Sequence, residues 1–280
     1  KRQVLIKNYL PTMNRSEIFL VMVSGMGTIA GSVMGTYIGM LGGTDPAAKV
    51  LFATHLLSAS VMAVPGSIVL AKMLCPQTEE ATDHVAISGK EKENSNILDA
   101  ISSGTVTGVK LMTNIAAMLL VFISLVALAN YITEGVIGRY TGLNDWIVKI
   151  TDGKAQGLTF QFILGVITSP FMWLIGVPSQ DIMLVGSLLG QKTILNEFVA
   201  YFQLQQWKDA GLFMYEKSIL MSTYILCGFA NISSIGILLG GLGVLAPEKR
   251  GLISRIGLPA MIGGALVSVL SATIIGMILG

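Results

Sequence analysis

The sequence predicts an all-α membrane protein, and its composition and apolar runs carry that prediction. Only 12% of the 280 residues are charged, whereas soluble domains carry about 25% charged residues. The hydrophobic fraction is 52%, and the mean hydropathy is +0.71. With a net charge of only +2, these values exclude a soluble enzyme, a disordered chain and a nucleic-acid binder with a basic surface.

Seven apolar runs approach or exceed the roughly 20 residues that a helix needs to cross the hydrocarbon core. They cover residues 18–43, 47–75, 107–135, 158–176, 181–205, 219–246 and 257–279. Between the second and third runs, the chain is polar from Pro76 to Asn96, and we expect this stretch to be the longest solvated loop. The segment 97–109 is predicted to lie at the membrane surface, ahead of the long span that begins near Lys110.

The basic residues predict an orientation. Lysine and arginine are more frequent in the loops that lie on the same side as residues 1–15, so the positive-inside rule places these residues in the cytoplasm. This orientation requires an even number of crossings between residues 110 and 249. The runs 158–176 and 181–205 therefore either cross as a pair or do not cross, and the sequence leaves both possibilities open.

The start of the chain and the two cysteines give little information about function. The chain begins without Met and without the layout of a signal peptide, which indicates an internal fragment of a longer protein. Cys75 and Cys227 are too few for a disulfide framework, and we interpret both as packing residues.

Charged and polar side chains interrupt the fifth apolar run. Lys192, Asn196 and Glu197 lie in the middle of residues 181–205. A carboxylate inside a membrane is costly and should face a wet cavity or a partner, so Glu197 is predicted to be part of a functional site. The alternative is a buried ion pair between Lys192 and Glu197 that only holds two helices together.

Two further runs contain small and polar residues where a packed helix would favour Leu or Ile. The stretches Gly25–Val33 and Gly228–Gly236 align without a gap, so that Gly25 falls on Gly228 and Thr28 falls on Asn231. Secondary transporters are often built from inverted repeats whose helices break at corresponding places around a central site. The sequence therefore predicts an inverted-repeat transporter with broken transmembrane helices, in which freed carbonyls and hydroxyls can coordinate a cation or a polar solute.

Other features of these runs have simpler interpretations. Close helix packing is predicted from four glycines at four-residue spacing, namely Gly27, Gly31, Gly35 and Gly39. Thr28 could be a ligand or could only bond to a carbonyl of the preceding turn, and both remain open. His55 could relay protons, although a hydrogen-bonded structural role is favoured. Pro65 is expected to kink or interrupt the second run.

Three strings of residues carry a resemblance to a known family. They are KTILNEFVAY at 192–201, CGFANISSI at 227–235 and GTIAGSV at 27–33. With these strings the chain resembles the concentrative nucleoside transporter family over essentially its whole length. The first two strings are long and are similar to the two signature motifs of that family.

The resemblance implies an architecture. It implies a homotrimer whose protomers each combine a scaffold with a mobile transport domain that has two re-entrant hairpins. Residues 1–106 are then the remainder of the first repeat of the transport domain, residues 107–136 a scaffold span, and residues 137–280 the second repeat. The second repeat would consist of an interfacial helix, a re-entrant hairpin with its tip at Asn196 and Glu197, and two spans.

The resemblance also implies roles for individual residues. Glu197, Asn231 and Ser234 match positions that bind the ribose hydroxyls and nearby groups of the substrate. Phe229 and Val33 match the walls of the nucleoside pocket. The Thr28 side chain and the Ile29 carbonyl match positions that help to hold the coupling sodium. The first hairpin of the family, which reads the base, has no counterpart in this sequence.

The function expected from these features is uptake of nucleosides across the plasma membrane by a multi-pass secondary transporter. The coupling ion is expected to be sodium, with no other cofactor, and a proton-coupled nucleoside symporter is an alternative. A second alternative is an ion-coupled carrier of another polyhydroxylated metabolite. An intramembrane enzyme is not expected, because the sequence has no metal-ligand pair, nucleophile elbow or paired aspartate to support one.

Overall fold

The computed structural model describes residues 9–79, 97–151, 153 and 155–280. All the regular elements in this described part of the chain are helices. The predicted solvated loop lies almost entirely at residues 80–96, outside the described residues. By its internal contacts the chain divides into two compact units, one formed by Lys1–Val85 with Gln161–Gly280 and the other by Ala86–Phe160.

The first apolar run forms two helices instead of one. Helix α1 covers Arg15–Gly27 and helix α2 covers Gly31–Gly42. Helix α1 begins at a capping box, in which the Asn14 side chain accepts from the Glu17 amide while the Glu17 carboxylate accepts from the Asn14 amide. The interruption at residues 28–30 confirms the predicted helix break within this run.

Helix α3, Pro46–Leu74, is one uninterrupted helix of 29 residues. Its first turn is fixed by the Asp45 side chain, which accepts hydrogen bonds from two backbone amides, and by a proline at a position where no amide proton is needed. Pro65 lies inside the helix without ending it, so of the kink or interruption expected here, the interruption does not occur. The His55 ring is hydrogen-bonded to the Tyr224 hydroxyl, with Nδ1 3.1 Å from the oxygen, in agreement with the favoured structural role.

The unit Ala86–Phe160 contains helix α4, Ile97–Asn130, a π-helical continuation Tyr131–Gly138 and helix α5, Leu143–Ile150. The structure differs here from the predicted surface segment followed by a separate span, because α4 runs without a break through the expected boundary near Lys110. No proline lies between residues 97 and 130, and glycine alone weakens a helix without breaking it.

Three helices follow that are shorter than the bilayer is thick. They are α6, Phe160–Leu174, α7, Ile182–Ile194, and α8, Glu197–Asp209. At 1.5 Å per residue, a helix of 13 residues reaches about 20 Å, whereas the hydrocarbon core is about 30 Å thick. Helices α7 and α8 pack against each other and are joined at Leu195 and Asn196. This is the helical hairpin that the family resemblance implies, and Asn196 of its expected tip lies in the connection.

The last two apolar runs form helices α9, Glu216–Leu226, α10, Ile232–Leu245, and α11, Arg250–Ile278. The break at residues 227–231 separates α9 from α10, again at the predicted place. Helix α11 packs against α1, α3, α9 and α10 and so holds both broken helices. In the described part of the chain, three segments are long and apolar enough to cross a membrane: Arg15–Gly42, Pro46–Leu74 and Pro247–Ile278.

The glycine ridge packs differently from the prediction. A Cβ atom added at Gly27 would lie 3.2 Å from the Val267 side chain, so this glycine does allow a close helix contact. Gly31, Gly35 and Gly39 have nothing within 4 Å of such an atom in the described structure. The prediction is wrong for these three, because the break after Gly27 puts them on a separate helix.

Candidate functional site

Glu197 is the first residue of helix α8 and is almost completely buried, with 7% of its surface exposed. Its Oε2 atom accepts a hydrogen bond of 2.8 Å from Asn231 Nδ2. Its Oε1 atom lies 3.5 Å from the Tyr37 hydroxyl, which donates to it. A buried carboxylate without partners is strongly unfavourable, and here each oxygen has a donor from a different helix or helix break.

Asn231 connects this carboxylate to the break between α9 and α10. It is the N-cap of α10, where its Oδ1 atom accepts from the Ser234 amide at 2.9 Å. The hydroxyls of Ser233 and Ser234 donate to the same oxygen, at 2.7 and 3.0 Å. These bonds fix which end of the amide is oxygen and therefore point the nitrogen at Glu197.

Tyr37 is a site residue that sequence reasoning did not find. It lies on α2, is fully buried, and stacks on Tyr201 of α8 with ring centroids 4.0 Å apart. The Tyr201 hydroxyl in turn donates to the Thr223 carbonyl at 2.8 Å. No local signal marks Tyr37, because its partner Glu197 is 160 positions away in the sequence and the tyrosine itself fits an ordinary apolar helix.

Phe229 and Val33 both lie beside this cluster. Each side chain is half-buried and packs against the hydrophobic core that contains Tyr37 and Tyr201. Phe229 belongs to the break that holds Asn231, and Val33 belongs to the first turn of α2. The structure thus brings these two predicted wall residues to the same core as the polar groups.

Thr28 and Ile29 form the break between α1 and α2, and each is 4% exposed. The Thr28 hydroxyl donates to the Ser24 carbonyl at 2.8 Å, which is the back-bond considered from the sequence. That bond uses the hydroxyl proton, and a hydroxyl oxygen also carries lone pairs that can act as a cation ligand. The back-bond and the predicted ligand role are therefore compatible.

Lys192 does not pair with Glu197. Both residues are in the described part of the chain, and the Lys192 ammonium instead donates to the Ile225 carbonyl at 2.7 Å and to the Ser268 hydroxyl at 3.0 Å. The ion pair considered as the alternative to a functional site is therefore wrong. The sequence could not indicate the carbonyl partner of Lys192, because every residue has a backbone carbonyl.

The two helix breaks touch each other at Gly228. This residue has a φ of +144°, and a Cβ atom added to it would lie 3.0 Å from the Met26 and Gly27 carbonyl oxygens and from the Ser268 hydroxyl. A φ of this kind favours glycine, and the close approach excludes a larger residue. The break that carries Asn231 and the break that carries Thr28 and Ile29 are therefore in direct contact.

A shallow cleft lies away from these residues. It measures about 280 Å³, is lined by residues that include Asn14, Ser16 and Glu79, and contains no predicted site residue. The candidate site is instead a closed cluster, in which a carboxylate, an amide and two helix breaks meet beside an aromatic wall. Such a cluster can bind a solute with neighbouring hydroxyls, because the carboxylate accepts and the amide both donates and accepts.

The chain is similar to known transporters. The family model described as Na+ dependent nucleoside transporter C-terminus matches residues 55–276. The chain is 38% identical over 98% of its length to Sodium/nucleoside cotransporter 1 of Rattus norvegicus, and it spans 41% of that protein. It is 37% identical over 99% of its length to Nucleoside permease NupC of Helicobacter pylori, and it spans 61% of that protein.

A solved structure has the same fold. It is the structure of CNTnw in an inward-facing substrate-bound state, which matches 99% of this chain with a TM-score of 0.81 and 34% sequence identity. The chain spans 61% of that protein. The family is one of transporters and not of enzymes. From the matched region, the shared fold and the two signature strings, the chain belongs to the concentrative nucleoside transporter family and carries its C-terminal region.

Proposed function

We propose that the protein to which this chain belongs is a cation-coupled symporter that carries nucleosides into the cell. The observation that carries the proposal is the bond between the buried Glu197 carboxylate and the Asn231 amide, 2.8 Å long, at the tip of a helical hairpin and at a helix break. A ribose offers neighbouring hydroxyls that a carboxylate and an amide can hold together. In this proposal Glu197, Asn231 and Ser234 hold the sugar, and Phe229 and Val33 form walls of the pocket.

The proposed coupling ion is sodium. Its ligands on this chain are the Thr28 hydroxyl and the Ile29 carbonyl, at the end of the broken helix α1. Hard cations prefer oxygen ligands, and unwound carbonyls at half-helix ends provide them in transporters. The contact at Gly228 between this break and the one that carries Asn231 supports coupled binding, because an ion that orders one break also orders the other.

The assembly belongs to the proposal as well. Residues 1–106 and 137–280 form the transport domain, with helix α6 as the interfacial helix, and residues 107–136 form a scaffold span. The protein is a multi-pass homotrimer in the plasma membrane. Supporting this division, the internal contacts group Lys1–Val85 with Gln161–Gly280, although they group residues 86–106 and 137–160 with the scaffold span.

Uptake by the full-length protein in vesicles tests the function. Labelled uridine and adenosine should accumulate against their gradients when sodium is present outside, and replacing sodium by choline at fixed pH should stop accumulation. Uptake that persists in choline but collapses with the proton gradient would assign the coupling to protons. Inhibition by unlabelled free sugars, with none by nucleosides, would assign the site to another polyhydroxylated metabolite.

A further inference from the structure

Lys192 has the most deeply buried ammonium among the described residues, with 0% of the residue exposed. It lies in the last turn of helix α7, the first arm of the hairpin. The substrate site proposed above does not use it. A fully buried ammonium is unfavourable unless its protons are bonded and its charge is balanced, so the groups around Lys192 need an explanation.

The partners of Lys192 are oxygens released by the second helix break. Helix α9 ends at Leu226, so the Ile225 carbonyl lies in its last turn, where the carbonyls have no later amides of the same helix to accept from. Lys192 Nζ lies 2.7 Å from this carbonyl oxygen. The end of a helix also carries partial negative charge, which favours a cation there.

Ser268 of α11 connects Lys192 to a second backbone carbonyl, which follows the end of α9. Its hydroxyl receives a hydrogen bond of 3.0 Å from Lys192 and donates one of 2.9 Å to the Cys227 carbonyl. The ammonium thus holds a backbone carbonyl directly and a second one through a hydroxyl. A carbonyl and a hydroxyl at a helix end are the ligand types that transporters use for sodium.

The first break presents the corresponding groups. The Thr28 hydroxyl and the Ile29 carbonyl follow the end of α1, and in the proposed function they hold the coupling cation. The two breaks are in contact, since Gly228 approaches the Met26 and Gly27 carbonyls and Ser268 from one side. Two helix ends with partial negative charge therefore meet, and Lys192 supplies the positive charge for one of them.

We propose that the Lys192 ammonium is a tethered cation, which fills at the second break the place that an exchangeable coupling cation takes at the first. This inference rests on the proposed cation-coupled function. Only the first break then exchanges its cation during transport. Lys192 is a positioning residue, because it fixes the loop 227–231 and through it the Asn231 amide that faces Glu197.

The test is chemical rescue in the full-length transporter. Lys192→Ala removes three methylene groups and the amine, which are the atoms of propylammonium. We expect Lys192→Ala to lower nucleoside uptake by at least roughly tenfold, since hydrogen bonds to a charged group are lost. Added propylammonium should restore a large part of that uptake, whereas tetramethylammonium at the same ionic strength, which has no N–H groups, should not.

Two further variants separate the role of the charge from packing and from lysine content. Lys192→Met fills the space without a charge, so its uptake should be low and propylammonium should not restore it. Lys249→Ala removes a lysine that also donates to a backbone carbonyl, Met13, at 3.1 Å, but far from both breaks in the sequence. This control should transport normally and should not respond to propylammonium.

Several results would overturn the inference. These are uptake by Lys192→Met close to that of the wild type, or loss of uptake in Lys192→Ala that propylammonium does not reverse. If Lys192→Ala is recovered only as aggregate, the same amines are added during solubilisation, and a monodisperse yield that fails to rise with propylammonium overturns it as well. A wild-type protein that takes up no nucleoside would instead refute the proposed function.

Discussion

Replacing Asn231 by Ala tests how the substrate break is built. The Asn231 side chain has two separable tasks, since its oxygen caps helix α10 through the Ser234 amide and its nitrogen donates to Glu197. Asn14 provides a matched control, because it caps helix α1 through the Glu17 amide at 3.0 Å and has no described bond to a proposed site residue.

The two variants should share one effect and differ in the other. Loss of an N-cap costs about 1 kcal/mol, so Asn231→Ala and Asn14→Ala should lower the free energy of unfolding by similar amounts from this source. Loss of a hydrogen bond to a charged group costs about 1.5–3 kcal/mol, and only Asn231→Ala loses one. Since 1.4 kcal/mol corresponds to a factor of ten, the nucleoside Kd of Asn231→Ala should rise roughly ten- to hundredfold.

Calorimetric titration of the purified full-length variants with nucleoside, together with their thermal unfolding, gives both quantities. The reasoning predicts that Asn14→Ala binds nucleoside like the wild type while unfolding at a lower temperature. Wild-type affinity in Asn231→Ala, or equal weakening of nucleoside binding in both variants, would refute the assigned role of the Asn231 amide.

Three further variants have distinct expected outcomes. Tyr37→Phe removes the hydroxyl 3.5 Å from Glu197 but keeps the ring stacked on Tyr201. Because this hydrogen bond is long, its loss should cost less than about 1 kcal/mol, and the nucleoside Kd should rise only about threefold. A hundredfold rise in Kd would contradict this. Gly228→Ala places a methyl group 3.0 Å from two carbonyl oxygens at a φ of +144°, so nucleoside uptake and thermal stability should both fall. As a control, Gly240→Ala adds a methyl group where there is open space, and it should change neither. Thr28→Val removes a proposed sodium ligand, so the sodium concentration for half-maximal uptake should rise, and an unchanged value would reject that ligand.

Much of the architecture followed from where polar residues interrupt apolar runs. Both helix breaks lie at predicted positions, because Gly, Ser, Thr and Asn inside a hydrophobic run are not explained by packing against lipid, whereas the hairpin was expected from the family resemblance. The structure adds the local reason for the turn at Asn196, whose side chain accepts from the Val199 amide and so caps the helix that begins at Glu197.

The two differences from prediction have separate physical causes. Helix α4 continues through Lys110 because a few glycines and threonines do not stop helix propagation, whereas a local drop in hydropathy predicted a boundary there. The glycine spacing at 27, 31, 35 and 39 predicted one packed ridge, but the break after Gly27 puts the later glycines on α2, where an added Cβ atom has nothing within 4 Å in the described structure.

Only some of the residues at the candidate site could be predicted from the sequence. Glu197, Asn231 and Ser234 were marked because polar side chains are unusual in a membrane run, and Phe229 was marked by the family string that contains it. Tyr37 and the partners of Lys192 depend on contacts between distant parts of the chain, and one of those partners is a backbone carbonyl that every residue possesses. Residue types cannot predict such contacts without the three-dimensional arrangement.

The central claim is that the Glu197 carboxylate receives the sugar hydroxyls of a nucleoside. Its most direct test is the binding of uridine and 2′,3′-dideoxyuridine to the wild type and to Glu197→Gln, both as purified full-length protein. The account predicts that the wild type binds uridine much more tightly than the dideoxy analogue, and that Glu197→Gln binds both equally weakly. If Glu197→Gln still prefers uridine by the wild-type factor, the carboxylate does not bind the sugar.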